Sequence, residues 1–222
     1  MTFQESQANR ALARLLAQGY AQALRDADPS AAEAAITGAL RAGMDGPVIC
    51  SRIIAPAMRW IGELWERDAI SFTDEHLATA TTHRLLAKLQ PALFPPPDRR
   101  RDATALLVCA NGEQHTLGLS MVGDVLRSKG WRVFEMGADA SADMVAVALA
   151  RRAPQLVGFS ATMSWSVPSL TRALERVAEI RPQAQVILGG IGIPARMREP
   201  SRWAGEVEEV VDLVDLGPTV AA

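Results

Sequence analysis

The chain has 222 residues, 49% of them hydrophobic and 22% charged, with a net charge of −2, which is the profile of an ordinary globular protein with room for one large or two small domains. So nearly neutral a balance argues against nucleic acid as the main partner, because phosphate contacts need concentrated basic charge. The chain has no apolar run of about eighteen residues and no signal-peptide pattern in MTFQESQANRALARLL. It has only two cysteines, Cys50 and Cys109, so the expected setting is a reducing cytoplasm without a disulfide framework.

The first ninety-odd residues read as helices. Ala11, Leu12, Leu15, Leu16, Tyr20 and Leu24 recur at helical spacing between about Ser6 and Asp26. Asp28-Pro29-Ser30 breaks that helix, and Ser30 is the expected cap of a second, from Ala31 to about Arg41. Gly43 to Gly46 is another break, and Pro47 suits the first turn of a third helix reaching about Arg67, with Pro56 as an internal kink. Ser71 or Thr73 caps a fourth, Asp74 to about Leu93. Four helices joined by short turns predict a bundle over residues 1–94.

Phe94-Pro-Pro-Pro-Asp98 ends the helical part, since no helix tolerates three consecutive prolines. Residues 95–103 are the predicted linker, and Arg99-Arg100-Arg101 within it reads as a solvated hinge. From 104 to 222 the pattern changes. Strand-like runs at Thr104–Ala110, Arg132–Met136, Leu156–Ala161, Gln185–Leu188 and Glu209–Leu213 alternate with helical patterns at about Leu117–Lys129, Ala142–Arg152, Val167–Ile180 and Pro194–Trp203. Such alternation predicts an α/β domain with a five-stranded parallel sheet, Rossmann-like or flavodoxin-like, with helices on both faces. Ligands of such sheets bind outside the carboxyl ends of the strands, near the switch in strand order.

Glu113-Gln114-His115-Thr116-Leu117-Gly118 occupies that place after the first strand. A histidine there can present one ring nitrogen to a metal, while Glu113, two residues earlier, accepts a hydrogen bond from the other and fixes the tautomer. Gly118 would let a ligand pass close to the backbone. The third strand ends in Ser160-Ala-Thr162 and the fourth in Gly189-Gly190, so small residues gather at three strand ends and outline a slot. Cys109, inside the first strand, reads as an inert buried thiol.

Glu-x-His-x-x-Gly, Ser-x-Thr and Gly-Gly together resemble the cobalamin-binding fold of methionine synthase, corrinoid methyl-transfer proteins and cobalamin photoreceptors. The commoner pattern has aspartate where Glu113 stands and leucine where Thr162 stands. The resemblance implies that His115 is the lower axial ligand of cobalt, that Glu113 orients it, and that Gly118, Ser160, Thr162, Gly189 and Gly190 receive the cofactor's nucleotide tail. It covers nearly the whole chain, because the family also places a four-helix bundle before the sheet domain.

Trp65, nine residues, then Glu75-His76 is similar to the Trp-x9-Glu-His motif of CarH-type light-sensing proteins. That likeness implies an aromatic wall and a carboxylate for the adenosyl group of adenosylcobalamin in the dark, and His76 as a possible upper ligand once light leaves a hydroxocobalamin-type cofactor. His83 reads as structural. No basic recognition helix is present, so the architecture resembles the AerR/PpaA antirepressors of purple photosynthetic bacteria, which act on a CrtJ/PpsR-type repressor. The expected function is a light-responsive transcriptional regulator that is not an enzyme and works through that partner, without direct contact to DNA or membrane. The alternatives are a corrinoid protein carrying methyl groups for a methyltransferase system, a cobalamin-level sensor, and a redox sensor acting through Cys109.

Overall fold

The computed structural model describes residues 7–97, 100–198, 203–205, 207 and 209–210. Ser6, Arg99 and the predicted strand residues beyond Val210 lie outside them. The chain divides into two compact units, Met1–Pro95 and Pro96–Ala222. Among the described residues, no helix is long and apolar enough to cross a membrane.

The first unit is helical. Helix α1 spans Gln7–Arg25 and α2 spans Pro29–Arg41. The cap of α2 is Asp28 and not the expected Ser30: the Asp28 carboxylate accepts the amides of Ser30 and Ala31, each at 3.0 Å. Pro29 then fills the first turn, where its missing N–H costs nothing. The third helix, α3, runs on through three segments: α-helical Gly46–Ile49, π-helical Cys50–Ile54 and α-helical Ala55–Glu66. Pro56 has no N–H to donate and its ring crowds the carbonyl one turn back. The widened turn just before it, closed by the Ala55 amide on the Cys50 carbonyl, absorbs that misfit and lets the helix continue.

Helix α4 spans Phe72–Leu93. Ser71 begins it with a reciprocal box: Ser71 Oγ accepts the Asp74 amide at 3.2 Å and Asp74 Oδ2 accepts the Ser71 amide at 2.9 Å. Tyr20, Ile36, Ile49, Ile53, Ile54 and Ile61 are completely buried in this unit. The Tyr20 hydroxyl donates to Thr82 Oγ1 at 2.9 Å. Burial pushes the Tyr20 phenol up to about 12, against a smaller opposing pull from the Thr82 hydrogen bond.

The second unit is a parallel sheet. Strands β1 (Thr104–Cys109), β2 (Arg132–Glu135), β3 (Leu156–Ser160) and β4 (Gln185–Gly189) are linked by α5 (Leu117–Ser128), α6 (Ala142–Arg152) and α7 (Val167–Ile180). The strand order is β2-β1-β3-β4, so the direction of winding switches between β1 and β3. Alternate residues of β1 serve opposite faces. Ala105, Leu107 and Cys109 pack with Leu119 and Leu126 of α5, whereas Leu106 and Val108 pack with Val145 and Leu149 of α6 and Leu170, Ala173 and Val177 of α7. Both faces are thus covered, as a parallel sheet requires.

The end of the chain departs from expectation. Where it is described, the predicted helix over Pro194–Trp203 is a short 3-10 turn, Ala195–Met197, and residues 199–202 lie outside the described residues. Arg198 draws the chain back, donating from Nε to the Ile193 carbonyl at 2.8 Å and from Nη2 to the Ile191 carbonyl at 3.1 Å. Its guanidinium also covers the Trp203 ring, 4.6 Å from the centroid. Trp203 forms a parallel bridge with Leu188 of β4. The predicted fifth strand, Glu209–Leu213, is also corrected where it is described: Glu209 and Val210 are helical. Val207 and Val210 are both buried, at 8% and 1% exposure, and a spacing of three places them on one helix face where strand alternation would separate them.

Candidate cofactor-binding site

The tips of β1, β3 and β4 are joined in register. Cys109, Ser160 and Gly189 stand abreast on the three neighbouring strands, with Ser160 buried. Beyond β1 the backbone turns through Asn111-Gly112, closed by the Glu113 amide on the Ala110 carbonyl at 2.9 Å. Gly112 has φ +85 there, a conformation that favours glycine. Asp139, from the loop after β2, holds this turn with one oxygen: Oδ1 accepts Asn111 Nδ2 at 2.6 Å and the Gly112 amide at 2.8 Å.

The turn delivers Glu113 into the interior, where it is completely buried. Its Oε1 accepts the His115 amide at 3.1 Å and pairs with His115 Nδ1. Its Oε2 accepts the amides of Thr162 and Met163, at 2.6 and 2.9 Å. Burial raises the Glu113 carboxyl, but the hydrogen bonds from His115, Met163 and Thr162 together outweigh it and hold the group down at about 2. A carboxylate so held remains an acceptor, so Nδ1 of His115 carries the proton and Nε2 is the nitrogen suited to a metal. The His115 side chain is 54% exposed. Among the described residues, no cluster of three or more His, Cys, Asp or Glu could hold a bare ion. The oriented His115 imidazole would instead suit a metal that arrives with most of its donors already in place.

The predicted glycines behave differently from one another. A methyl group on Gly118, in the first turn of α5, would meet nothing within 4 Å, and one on Gly189 would make only an ordinary contact, 3.5 Å from the Ala204 carbonyl oxygen. Neither glycine is forced by packing, so both leave space for a ligand. Gly190 is forced, with φ +100 and its Cβ position pressed into the Ala161 backbone. Gly192 is similarly pressed against the Thr162 backbone. Gly190 therefore serves the chain's own packing, whatever else it touches. Thr162 reaches the site through its backbone amide. Cys109 is completely buried, and burial, followed by the charges of Glu113 and Glu135, pushes its thiol up to about 12. A thiol kept protonated is a poor redox sensor.

In the helical unit the predicted trio lies on one patch. His76 Nδ1 pairs with Glu75 Oε2 at 2.9 Å, and Glu75 Oε1 accepts the Thr79 hydroxyl at 2.9 Å. Phe72 links the rings, its centroid 4.0 Å from His76 and 6.2 Å from Trp65. Trp65 and Phe72 are 42% and 60% exposed, so this is an uncovered aromatic surface beside a carboxylate. Phe72 escaped the sequence reading, although an aromatic residue next to the Ser71 cap, inside the Trp-x9-Glu-His interval, was a usable signal. Asp139 and Met163 carried no such signal, because their contacts join segments 27 and 50 residues apart.

Similarity to known proteins agrees with this geometry. The HTH-type transcriptional repressor CarA of Myxococcus xanthus is 29% identical over 172 residues, which are 76% of this chain and 57% of CarA, so the chain spans little more than half of that relative. The trimethylamine corrinoid protein of Methanosarcina barkeri is 24% identical over 176 residues, 76% of this chain and 79% of the relative. An uncharacterized 20.5 kDa protein in the bchF-crtJ intergenic region of Rhodobacter capsulatus is 35% identical over 83 residues, 37% of this chain and 43% of that one. The monomethylamine corrinoid protein of Methanosarcina barkeri shares the fold, with a TM-score of 0.76 at 18% identity over 93% of this chain and 98% of that one. A B12 binding domain matches residues 16–90. A second matches residues 103–214, about half the chain and the whole strand-tip site, and the chain belongs to this B12-binding domain family.

Proposed function

We propose that this chain is a cobalamin-dependent, light-responsive regulator in the cytoplasm that acts as an antirepressor, through a repressor protein of the CrtJ/PpsR type and without contacting DNA itself. The observation that carries the proposal is the exposed patch of Trp65, Phe72, Glu75 and His76. It offers aromatic faces for an adenine and a carboxylate for ribose hydroxyls, which an adenosyl ligand needs and a methyl ligand does not. Likeness to CarA, a transcriptional repressor by name, supports a regulatory role. Likeness to the protein encoded beside crtJ supports the choice of partner.

In this reading His115 would hold cobalt through Nε2 while its protonated Nδ1 donates to Glu113 Oε1. Adenosylcobalamin would supply a cobalt–carbon bond labile to visible light, and its loss would remove the adenosyl group that the Trp65 patch is proposed to hold. Trp65 and Glu75 would be the groups offered to an adenosyl ligand when it is present, and His76 a candidate metal ligand once it is gone. The chain catalyses no reaction. Its switch is as large as the difference between the contacts made in the two forms, since a ligand with equal contacts in both shifts nothing.

The test is repressor affinity of the adenosylcobalamin-loaded chain, measured in darkness and again after illumination. A clear difference supports the switch, and equal affinities with cobalamin loading intact would rule out photosensing. The second reading, a carrier of methyl groups for a methyltransferase system, draws on the likeness to the trimethylamine corrinoid protein. Trp65→Ala separates the two: the regulator loses adenosylcobalamin affinity and dark stability, whereas the carrier keeps both.

A further inference from the structure

We infer that Trp165 and Ile191 form an apolar rest for the corrin ring beside His115 and thereby set how tightly the cofactor is held. This inference rests on the cobalamin-binding part of the proposed function and is independent of light. Among the described residues, Ile191 and Trp165 are the two most exposed large apolar side chains, at 69% and 66%. Both sit on loops at the carboxyl end of the sheet, Trp165 just after β3 and Ile191 just after β4. Loop tips are ordinarily polar, and two large apolar side chains on neighbouring tips form a surface that a ligand or partner covers.

Their backbones are fixed although their side chains stand in solvent. The Met163 amide is held by Glu113 at 2.9 Å. Ser166 is completely buried, and donates to the Met163 carbonyl from both its amide, at 3.1 Å, and its hydroxyl, at 2.7 Å. Trp165 therefore rides on a short turn pinned at both ends. Its indole leans over the Asn111-Gly112 turn, with Cδ1 3.9 Å from where a Gly112 side chain would begin, so it stands at the turn that leads into Glu113 and His115. Ile191 is flanked by Gly190 and Gly192, which seat its loop against the backbone of Ala161 and Thr162, and the Gly192 amide donates to the Ala161 carbonyl at 3.1 Å.

The same carboxylate that orients His115 thus also anchors the turn that carries Trp165. Apolar side chains carried on fixed backbone beside an oriented imidazole suit a large, methyl-rich ring, and little ordering of the backbone is left to be done on binding. The chemistry differs from that of the small residues Ser160 and Gly189. Those leave room for a polar tail, whereas Trp165 and Ile191 add surface against the macrocycle.

The experiment titrates cofactor-free full-length chain with hydroxocobalamin and follows the absorption change and the release rate. Wild type is compared with Trp165→Ala, Trp165→Phe, Ile191→Ala and the double alanine variant. Trp165→Ala is expected to bind about tenfold more weakly with faster release, Ile191→Ala about threefold more weakly. Trp165→Phe should restore most of the loss. The spectrum at saturation and the melting temperature of the cofactor-free chain should not change, because both side chains are exposed. Unaltered affinity and release in the double variant would overturn the inference. So would an affinity loss that Trp165→Phe fails to rescue and that tracks a drop in melting temperature, since Trp165 would then be a prop for its loop. Wild-type chain that takes up no corrinoid, or His115→Ala binding as well as wild type, would instead refute the underlying site.

Discussion

Among the described residues two glutamate–histidine pairs occur, and they are built on different plans. Glu113 has no exposed surface, and its two oxygens take the His115 ring nitrogen and the amides of His115, Thr162 and Met163. Glu75 has 22% of its side chain exposed, and its partners, His76 and Thr79, belong to its own helix. One carboxylate fastens two strand-tip loops and an imidazole together, whereas the other joins neighbours already held by α4. The first pair is therefore fixed by tertiary contacts, as a ligand holder would have to be. The second pair depends on contacts within one helix, so the surface around it is less constrained than the strand-tip loops.

The contrast breaks most directly at Glu113. Glu113→Ala leaves three part-buried amides and an imidazole without their acceptor and opens a cavity at a buried position, and should cost about 3–5 kcal/mol in urea unfolding. A loss below about 1 kcal/mol would make the two pairs alike after all. The glycines sharpen the comparison within the site. Gly190→Ala puts a side chain at φ +100 against the Ala161 backbone and should destabilise by about 2–4 kcal/mol. Gly118→Ala, which fills open space, should stay within about 0.5 kcal/mol while weakening cobalamin binding.

The helical unit has its own buried titrating group, Tyr20, whose folded pKa lies at about 12, above its ordinary 10.0. The protonated phenol is favoured in the folded state, so this contribution is complete below pH 10 and is lost as pH rises towards 12. The loss should approach about 2–3 kcal/mol in alkaline unfolding curves and disappear in Tyr20→Phe. The smallest effect belongs to Glu75→Ala, below about 1 kcal/mol in stability, with its consequence confined to adenosylcobalamin affinity. A stability loss as large as that of Glu113→Ala would show that the helical patch is a structural core.

The sequence by itself determined the helical part followed by alternating strands and helices as far as β4, with most of the boundaries between them. Ala142–Arg152 and Val167–Ile180 are helical over the expected residues, because period and caps are local. It also paired Glu113 with His115, two residues apart. Tertiary structure alone decided the rest. The second anchor of Glu113, on the amides of Thr162 and Met163, depends on β1 and β3 lying side by side. The clamp from Asp139 depends on the loop after β2 meeting the β1 turn. Gly190 is required because of its positive φ and because the Ala161 backbone faces it, and Val210 joins, from a helix, the core that Leu107 and Ile187 build on one face of the sheet. Short-range periodicity and capping are written in neighbouring residues. A hydrogen bond between strand tips exists only once the sheet has set its register, and no spacing within the chain encodes that distance.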